Sequence, residues 1–123
     1  MQYLLLIHDD EKLWASMSEE ERNELFGEYK AFGDRLREAG DYVGANQLQP
    51  TSTATTVHVR DGETVITDGP YAETKEQLGG YYLIEVDSLD DALEWAARIP
   101  SSRISSIEVR PVVPARVTAE AAG

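Results

Sequence analysis

Two stretches of this sequence are apolar on both of the faces that a β-strand presents. Side chains alternate between the two faces of a strand, and every position in Tyr3–Ile7 is apolar or aromatic. Tyr81–Val86 repeats the pattern with aromatic and β-branched residues, and Glu85 is its one charged residue. A strand of this kind lies in a sheet that is covered on both sides. The fold must therefore provide a cover for each face of one sheet.

Two helices are predicted to cover one of these faces. Ser18 and Glu21 form a capping box, in which each side chain accepts from the backbone N–H of the other residue, so a helix begins here. Its apolar residues recur three and four positions apart, as one helical face requires. These residues are Leu25, Phe26, Tyr29, Phe32 and Leu36. The helix is predicted to end at Gly40, and a second helix runs from the Ser88 cap to just before Pro100.

The remaining apolar segments predict further strands. Asp61-Gly62 favours the positive φ angles of a tight two-residue turn, and it therefore joins two short strands in a hairpin. The stretch from Asp68 to Gly80 contains a proline and three glycines and is predicted to be a loop. The additional predicted strands are Asp41–Gln49, Thr55–Arg60, Glu63–Thr67 and Ile104–Arg110.

The order of these elements is typical of one fold class. Strand, long helix, strand, hairpin, strand, helix and strand make a ferredoxin-like βαββαβ frame with an inserted β-hairpin, which is an α+β arrangement. Its two helices cover one face of an antiparallel sheet and leave the other apolar face open. Burial of apolar surface stabilises by about 25 cal/mol per Å², which favours a homodimer with its open sheet faces together.

Length and composition exclude several classes of function. The 123 residues suit a single domain, predicted to span residues 1–114, followed by a flexible alanine-rich tail at 115–123. A net charge of −12 argues against nucleic acid as a partner. The absence of cysteine excludes disulfides and thiolate chemistry and fits a cytoplasmic location. The opening apolar run is far too short to span a bilayer, so no membrane association is predicted.

Neither a metal nor an organic cofactor is predicted. The two histidines, His8 and His58, show no spacing typical of metal ligands. The glycines at 69, 79 and 80 do not open a helix, so they do not form a phosphate-binding pattern.

His8 and Asp68 are the candidate catalytic residues. His8 ends the first strand on the face of Leu4 and Leu6, and imidazole is the side chain best suited to exchange a proton near neutral pH. Asp68 follows the second hairpin strand, where its carboxylate can orient His8. Each has a structural interpretation as well. His8 can bind a backbone carbonyl or Asp9, and Asp68 can form the turn before Gly-Pro.

Four further residues are candidates for substrate binding. Glu73 and Lys75 lie in a loop with the length and glycine content of a binding lid, so they can hold a polar substrate. Tyr81 and Tyr82 point to opposite faces of their strand, so one hydroxyl can reach a pocket while the other ring packs. The alternative for Glu73 and Lys75 is that they are solvent-exposed loop charges without a ligand. The alternative for Tyr81 and Tyr82 is that both rings pack in the core or in an interface.

The segment TDGPYAETKEQLGGYY, residues 67–82, resembles the signature of the DGPF-domain branch of the YCII-related family. The resemblance extends to Tyr3–His8, Leu48–Pro50 and Val109–Pro111. Tyr71 stands where the pattern usually has phenylalanine, so the aromatic ring is kept. The resemblance implies a dimeric ferredoxin-like α/β barrel, similar to muconolactone isomerases, with a pocket between sheet and helices.

Two functions follow as implications of this resemblance. A His–Asp acid–base dyad has been proposed in related proteins, which implies a cofactor-independent isomerase or lyase for a small cyclic or aromatic compound, with His8 and Asp68 in those roles. The alternative is a non-catalytic ligand-binding or regulatory module, because the DGPF branch often accompanies extracytoplasmic-function sigma factors. A structural dimer without a ligand fits less well with the long polar loop.

Overall fold

The structure, a computed structural model, describes residues 1–114. The predicted tail at 115–123 lies outside the described residues. Short 3₁₀ turns occur at Thr51–Thr53 and Pro100–Arg103. In chain order the helices and strands are β1 Gln2–Asp9, α1 Glu11–Ser16, α2 Glu19–Glu38, β2 Tyr42–Gln47, β3 Thr55–Arg60, β4 Glu63–Asp68, β5 Gln77–Glu85, α3 Leu89–Arg98 and β6 Ser106–Pro111.

Four strands form one antiparallel sheet in the order β2-β5-β1-β6. The two central strands, β5 and β1, contain the two stretches that are apolar on both faces. This strand order, with helices following β1 and β5, is that of a ferredoxin-like fold. The predicted α+β class is therefore confirmed.

The structure corrects the predicted number of helices from two to three. α1 begins directly after β1, where the Asp10 side chain accepts a hydrogen bond of 3.0 Å from the backbone N–H of Lys12 and caps the helix. Six residues are too few for an apolar repeat to show in the sequence, and none of them is buried. The predicted helix capped by Ser18 forms as α2, with its capping box complete.

β5 begins earlier than predicted. The predicted loop extends to Gly80, whereas the strand starts at Gln77, which pairs with Asp9 at the end of β1. Glycine is disfavoured in strands, so local preference argues for a loop here. Backbone pairing with the central strand β1 overrides that preference.

The two glycines at the start of β5 allow close approach in two directions. The register with β1 shifts between Ile7 and His8, so Gly79 is the extra residue of a β-bulge. A Cβ on Gly80 would lie 3.0 Å from the backbone carbonyl oxygen of Asn46 in β2. The absence of a side chain at Gly80 therefore lets β2 pack closely against β5.

β3 and β4 form the predicted hairpin as a separate two-stranded sheet. Asp61 and Gly62 connect the two strands with φ angles of 53° and 78°, in the left-handed region that such turns require. The hairpin carries exposed apolar residues. They are Val57, Val59, Val65 and Ile66, with exposures of 57%, 70%, 45% and 66%. A lone two-stranded hairpin is marginally stable in water, so these side chains are available for burial against another surface.

One side of the four-stranded sheet packs against α2 and α3. Alternate residues of β1 are buried there, with at most 5% exposure. These are Tyr3, Leu5 and Ile7. Phe32 of α2 lies at the centre and makes edge contacts with Tyr82 and Trp95, with ring centroids 5.1 and 5.8 Å away. The indole N–H of Trp95 donates to the Asp41 carboxylate at 2.9 Å, which ties α3 to the start of β2.

The other side of the sheet carries Leu4 and Leu6 of β1 and Leu83 of β5, which are only partly buried. The buried residues of α2 and α3 pack against the opposite side. This second side, called the open face below, is therefore the apolar surface that the sequence pattern predicts.

Two kinds of feature are absent from residues 1–114. No helix in this part of the chain has the length and apolar character needed to cross a bilayer. Nor does this part of the chain hold a group of three or more His, Asp or Glu side chains placed to bind a metal ion.

Candidate active site

A cavity of about 760 Å³ is bounded by the sheet, α1, α2 and the segment that follows β2. Its volume is in the range of sites for small organic molecules. Aromatic rings make up much of its wall. They are Trp14, Phe26, Tyr29, Tyr42 and Tyr82. A flat, cyclic molecule would therefore find stacking surfaces on several sides of the cavity.

The Asp9 carboxyl group lies in this cavity wall at the end of β1. A Cβ on Gly79 would lie 2.5 Å from its Oδ2 atom, which is closer than such atoms approach. Any larger residue at position 79 would therefore have to displace the carboxyl group. The bulge glycine of β5 provides the space in which Asp9 sits.

Burial raises the pKa of the Asp9 carboxyl above its ordinary value of 3.8, and the nearby Glu76 carboxylate raises it further. The Ser105 side chain and the His8 imidazole act in the opposite direction. Desolvation is the largest of these effects, so the charged form of Asp9 is disfavoured. A carboxyl group with a raised pKa in a cleft is typical of a general acid or base.

Two tyrosines place protonated hydroxyl groups in the same cavity. Tyr29 makes a short hydrogen bond with the hydroxyl of Ser101, a residue only 3% exposed. Burial raises the pKa of Tyr29, Ser101 lowers it, and Asp9 raises it, so the phenol and the carboxyl group lie near each other. Burial also raises the pKa of Tyr82 to about 12. Both phenols therefore remain donors at neutral pH.

His8 lies on the open face, and its partner is not the predicted one. Its Nε2 atom is 3.1 Å from Oε1 of Glu108, on the neighbouring strand β6. Glu108 also accepts hydrogen bonds from the Arg110 guanidinium. Arg110, and then His8, lower the pKa of Glu108. His8 thus joins Glu108 and Arg110 in a chain of polar contacts at the sheet edge.

Asp68 lies at the end of β4 in the exposed hairpin, opposite Thr55. Within residues 1–114, no hydrogen bond or ion pair joins it to His8. The next residue, Gly69, has a φ of 105° and donates to the Ala54 carbonyl at 2.8 Å, which extends the pairing of β3 and β4 by one residue. The structure does not bring the two candidate catalytic residues together, and their joint role stays a prediction.

The four candidate binding residues divide into two pairs. Glu73 and Lys75 are exposed and form no ion pair within the described part of the chain. Tyr81 and Tyr82 both border the cavity. The Tyr81 hydroxyl accepts a hydrogen bond of 2.9 Å from the Asn46 side chain, and Tyr82 packs against Phe32. Tyr82 pairs with the buried Leu5, so its ring lies on the cavity side of the sheet. Tyr81 pairs with Leu6, so its ring lies on the open face and only its strand borders the cavity.

Asp9 was not among the predicted site residues, although the sequence contains a signal for it. Asp9 lies on the same face of β1 as Tyr3, Leu5 and Ile7, which are buried. Continuing that alternation by one step places a carboxyl group at the edge of the core. His8 lies on the other face of β1, the open face, and therefore points away from the core.

The YCII-related domain family matches residues 1–116 of the sequence. The chain belongs to the YCII-related family. An uncharacterised protein from Rhizobium meliloti (strain 1021) is 40% identical to this YCII-related chain over 114 residues, which span 91% of this chain and 92% of that protein. The predicted family membership is therefore confirmed.

A solved structure shares the fold. It is 5-chloro-2-hydroxyhydroquinone dehydrochlorinase (TftG) from Burkholderia phenoliruptrix AC1100, in complex with 2,5-dihydroxybenzoquinone. The TM-score is 0.52, and the alignment covers 92% of this YCII-related chain and 94% of that chain at 14% identity. At that identity the likeness shows the architecture alone.

Proposed function

We propose that this protein is a small-molecule enzyme of the isomerase or lyase type, in which Asp9 acts as the acid–base group. One observation carries the proposal. The Asp9 carboxyl group lies in a largely aromatic cavity, in space that Gly79 leaves free. Nearby Tyr29 and Tyr82 contribute protonated phenols. A proton acceptor and proton donors thus border one site of suitable size.

The arrangement suits proton transfer at carbon. The ionised Asp9 carboxylate takes a proton from a C–H bond next to a carbonyl group, and the C–H electron pair forms a C=C bond. The Tyr82 hydroxyl, which makes no hydrogen bond among the described residues, donates to the developing enolate oxygen. In an isomerase, Asp9 returns the proton to another atom of the same molecule. In a lyase, a neighbouring group leaves with its bonding electrons, and the net loss is HX.

The fold relative supports the same class of substrate. TftG is a dehydrochlorinase, and its bound molecule is a flat, oxygenated six-membered ring. An aromatic-walled cavity of about 760 Å³ accommodates a ring of that size. No observation in residues 1–114 of the structure favours the regulatory alternative over the enzyme.

Hydrogen exchange in D₂O tests the proposal. The wild-type protein is expected to speed the loss of the ring C–H NMR signal of 2,5-dihydroxybenzoquinone relative to buffer. The ring carbon takes up a deuteron to give the keto tautomer, and removal of the original proton from that carbon restores the enol with deuterium in its place. His8→Asn and Asp68→Asn are expected to keep the accelerated rate, since neither residue lines the cavity. If His8 and Asp68 act as the predicted pair, both variants instead lose at least roughly tenfold. Wild-type exchange no faster than in buffer would contradict the enzyme proposal.

We further infer that the chain forms a homodimer through its open face and hairpin. Leu4 and Leu6 are only partly covered in one chain, and Val59 and Ile66 of the hairpin are 70% and 66% exposed. Apolar side chains left exposed on a sheet face and on a hairpin are typical of association sites. A second copy brings an identical apolar surface, so a two-fold pairing buries both.

Light scattering at micromolar concentration is expected to give the mass of two chains. Ile66→Lys should shift the equilibrium toward monomer, because it places a charge in the inferred interface. Leu93→Lys is the matched control, since Leu93 is 47% exposed but lies on α3, away from the open face. A wild-type monomer, or equal effects of the two variants, would contradict this interface.

A further inference from the structure

Two cationic side chains, Lys30 and Arg37, border the aromatic cavity from α2. They flank Gly33, which also lines the cavity and is buried. Residues three and four apart lie on one helical face, so all three share the cavity side of α2. The chain carries 11 basic against 23 acidic residues, so two cations at one cavity stand out from an acidic protein.

The Arg37 guanidinium is held in a defined position. Its Cζ atom lies 4.3 Å from the centre of the Tyr42 ring, in a cation–π contact. Its Nη1 atom lies 3.2 Å from the place where a Cβ on Gly33 would be. The side chain therefore folds back along α2 by one turn, as long helical side chains tend to do. This brings the guanidinium over Gly33, on the same helical face as Lys30.

Both cations retain donors for a ligand. Lys30 has no ion pair within residues 1–114. Arg37 has one long contact, 3.7 Å from Nη1 to the exposed Asp34 carboxylate. Glu11 also borders the cavity, but its two carboxylate oxygens accept from the backbone N–H and the hydroxyl of Thr51, each at 2.8 Å.

We propose that Lys30 and Arg37 bind a carboxylate group of the substrate, which makes the substrate a small aromatic or cyclic carboxylic acid. This inference rests on the proposed function, because it assigns the substrate class of the same cavity. The planar guanidinium fork matches the geometry of a carboxylate, and the Lys30 ammonium on the same cavity wall adds a second positive charge. Gly33 is a positioning residue, since its missing side chain admits the guanidinium.

Calorimetric titration with 4-hydroxybenzoate and its neutral amide, 4-hydroxybenzamide, tests this. The wild-type protein is expected to bind the benzoate at least roughly tenfold more tightly than the amide. Arg37→Gln and Lys30→Gln should each remove most of that preference, measured as the ratio of benzoate to amide affinity within each variant. Arg35→Gln is the matched control, because Arg35 lies on the same turn of α2 as Arg37 but does not line the cavity.

The outcomes separate this inference from the proposed function. Equal wild-type affinities for the two probes overturn the carboxylate site, and detectable amide binding then leaves the cavity as a ligand site. A loss in Arg35→Gln equal to that in Arg37→Gln also overturns it, because a general charge effect would be responsible. If neither probe binds, the carboxylate inference is overturned. The proposed enzymatic function is still tested separately, by hydrogen exchange with the wild-type protein.

Discussion

Asp9→Asn is expected to slow hydrogen exchange into 2,5-dihydroxybenzoquinone by about 10²- to 10⁴-fold, the range that a general acid or base contributes. Asparagine keeps nearly the same shape and still fits the space beside Gly79, but it cannot take up a proton. Asp10→Asn is a matched control, since Asp10 caps α1 outside the cavity and asparagine caps helices equally well. Equal rates in the two variants would remove Asp9 from the mechanism.

The same substitution is expected to stabilise the fold near neutral pH. The folded-state pKa of Asp9 is raised, so the stability that its neutral form contributes is present at low pH and lost as the pH rises through the raised pKa. Asparagine cannot ionise and avoids that loss. The Tm of Asp9→Asn should exceed that of the wild type at pH 7, and the difference should shrink toward the ordinary carboxyl pKa of 3.8. A lower Tm at pH 7 would show that the charged carboxylate is stabilising.

Phe32→Ala is expected to lower the free energy of unfolding by about 3–5 kcal/mol, because the ring is 2% exposed and its removal leaves a cavity. Phe32 contacts Tyr82 of the sheet and Trp95 of α3, so its loss weakens both connections of α2. Small domains are stabilised by only about 5–15 kcal/mol, so a large share of the total is lost.

Urea denaturation measures this effect as a lower midpoint at unchanged slope. Phe26→Ala makes the same chemical change on the same helix, but Phe26 is 46% exposed and touches Trp14 at the cavity wall. Its effect on the unfolding free energy should be much smaller. Similar losses in the two variants would show that α2 is not anchored through Phe32.

Much of the architecture is predictable because strong local signals agree with the fold. The two-sided apolar stretches become the central strands, the Ser18 cap starts α2, and Asp61-Gly62 turns the hairpin. The misses have local causes. α1 is too short to show periodicity, and the glycines at the start of β5 suppress a strand that long-range pairing creates.

The candidate site was less predictable because its geometry depends on strand register. His8 pairs with Ser106 and reaches Glu108 across the β1–β6 ladder, a contact between residues 100 positions apart. Nothing local to His8 indicates that partner. Asp9 was identifiable from strand parity, but its cavity is completed by the bulge at Gly79, which only the pairing of β1 with β5 reveals.

The adjacent glycines of β5 constrain the chain for separate reasons. Gly79 leaves room for the Asp9 carboxyl group, whereas Gly80 leaves room for the backbone of β2. Position 79 is therefore tied to the Asp9 carboxyl group and position 80 to assembly of the sheet. An evolutionary profile that scores both simply as invariant glycine would merge two selective pressures that act on different properties of the molecule.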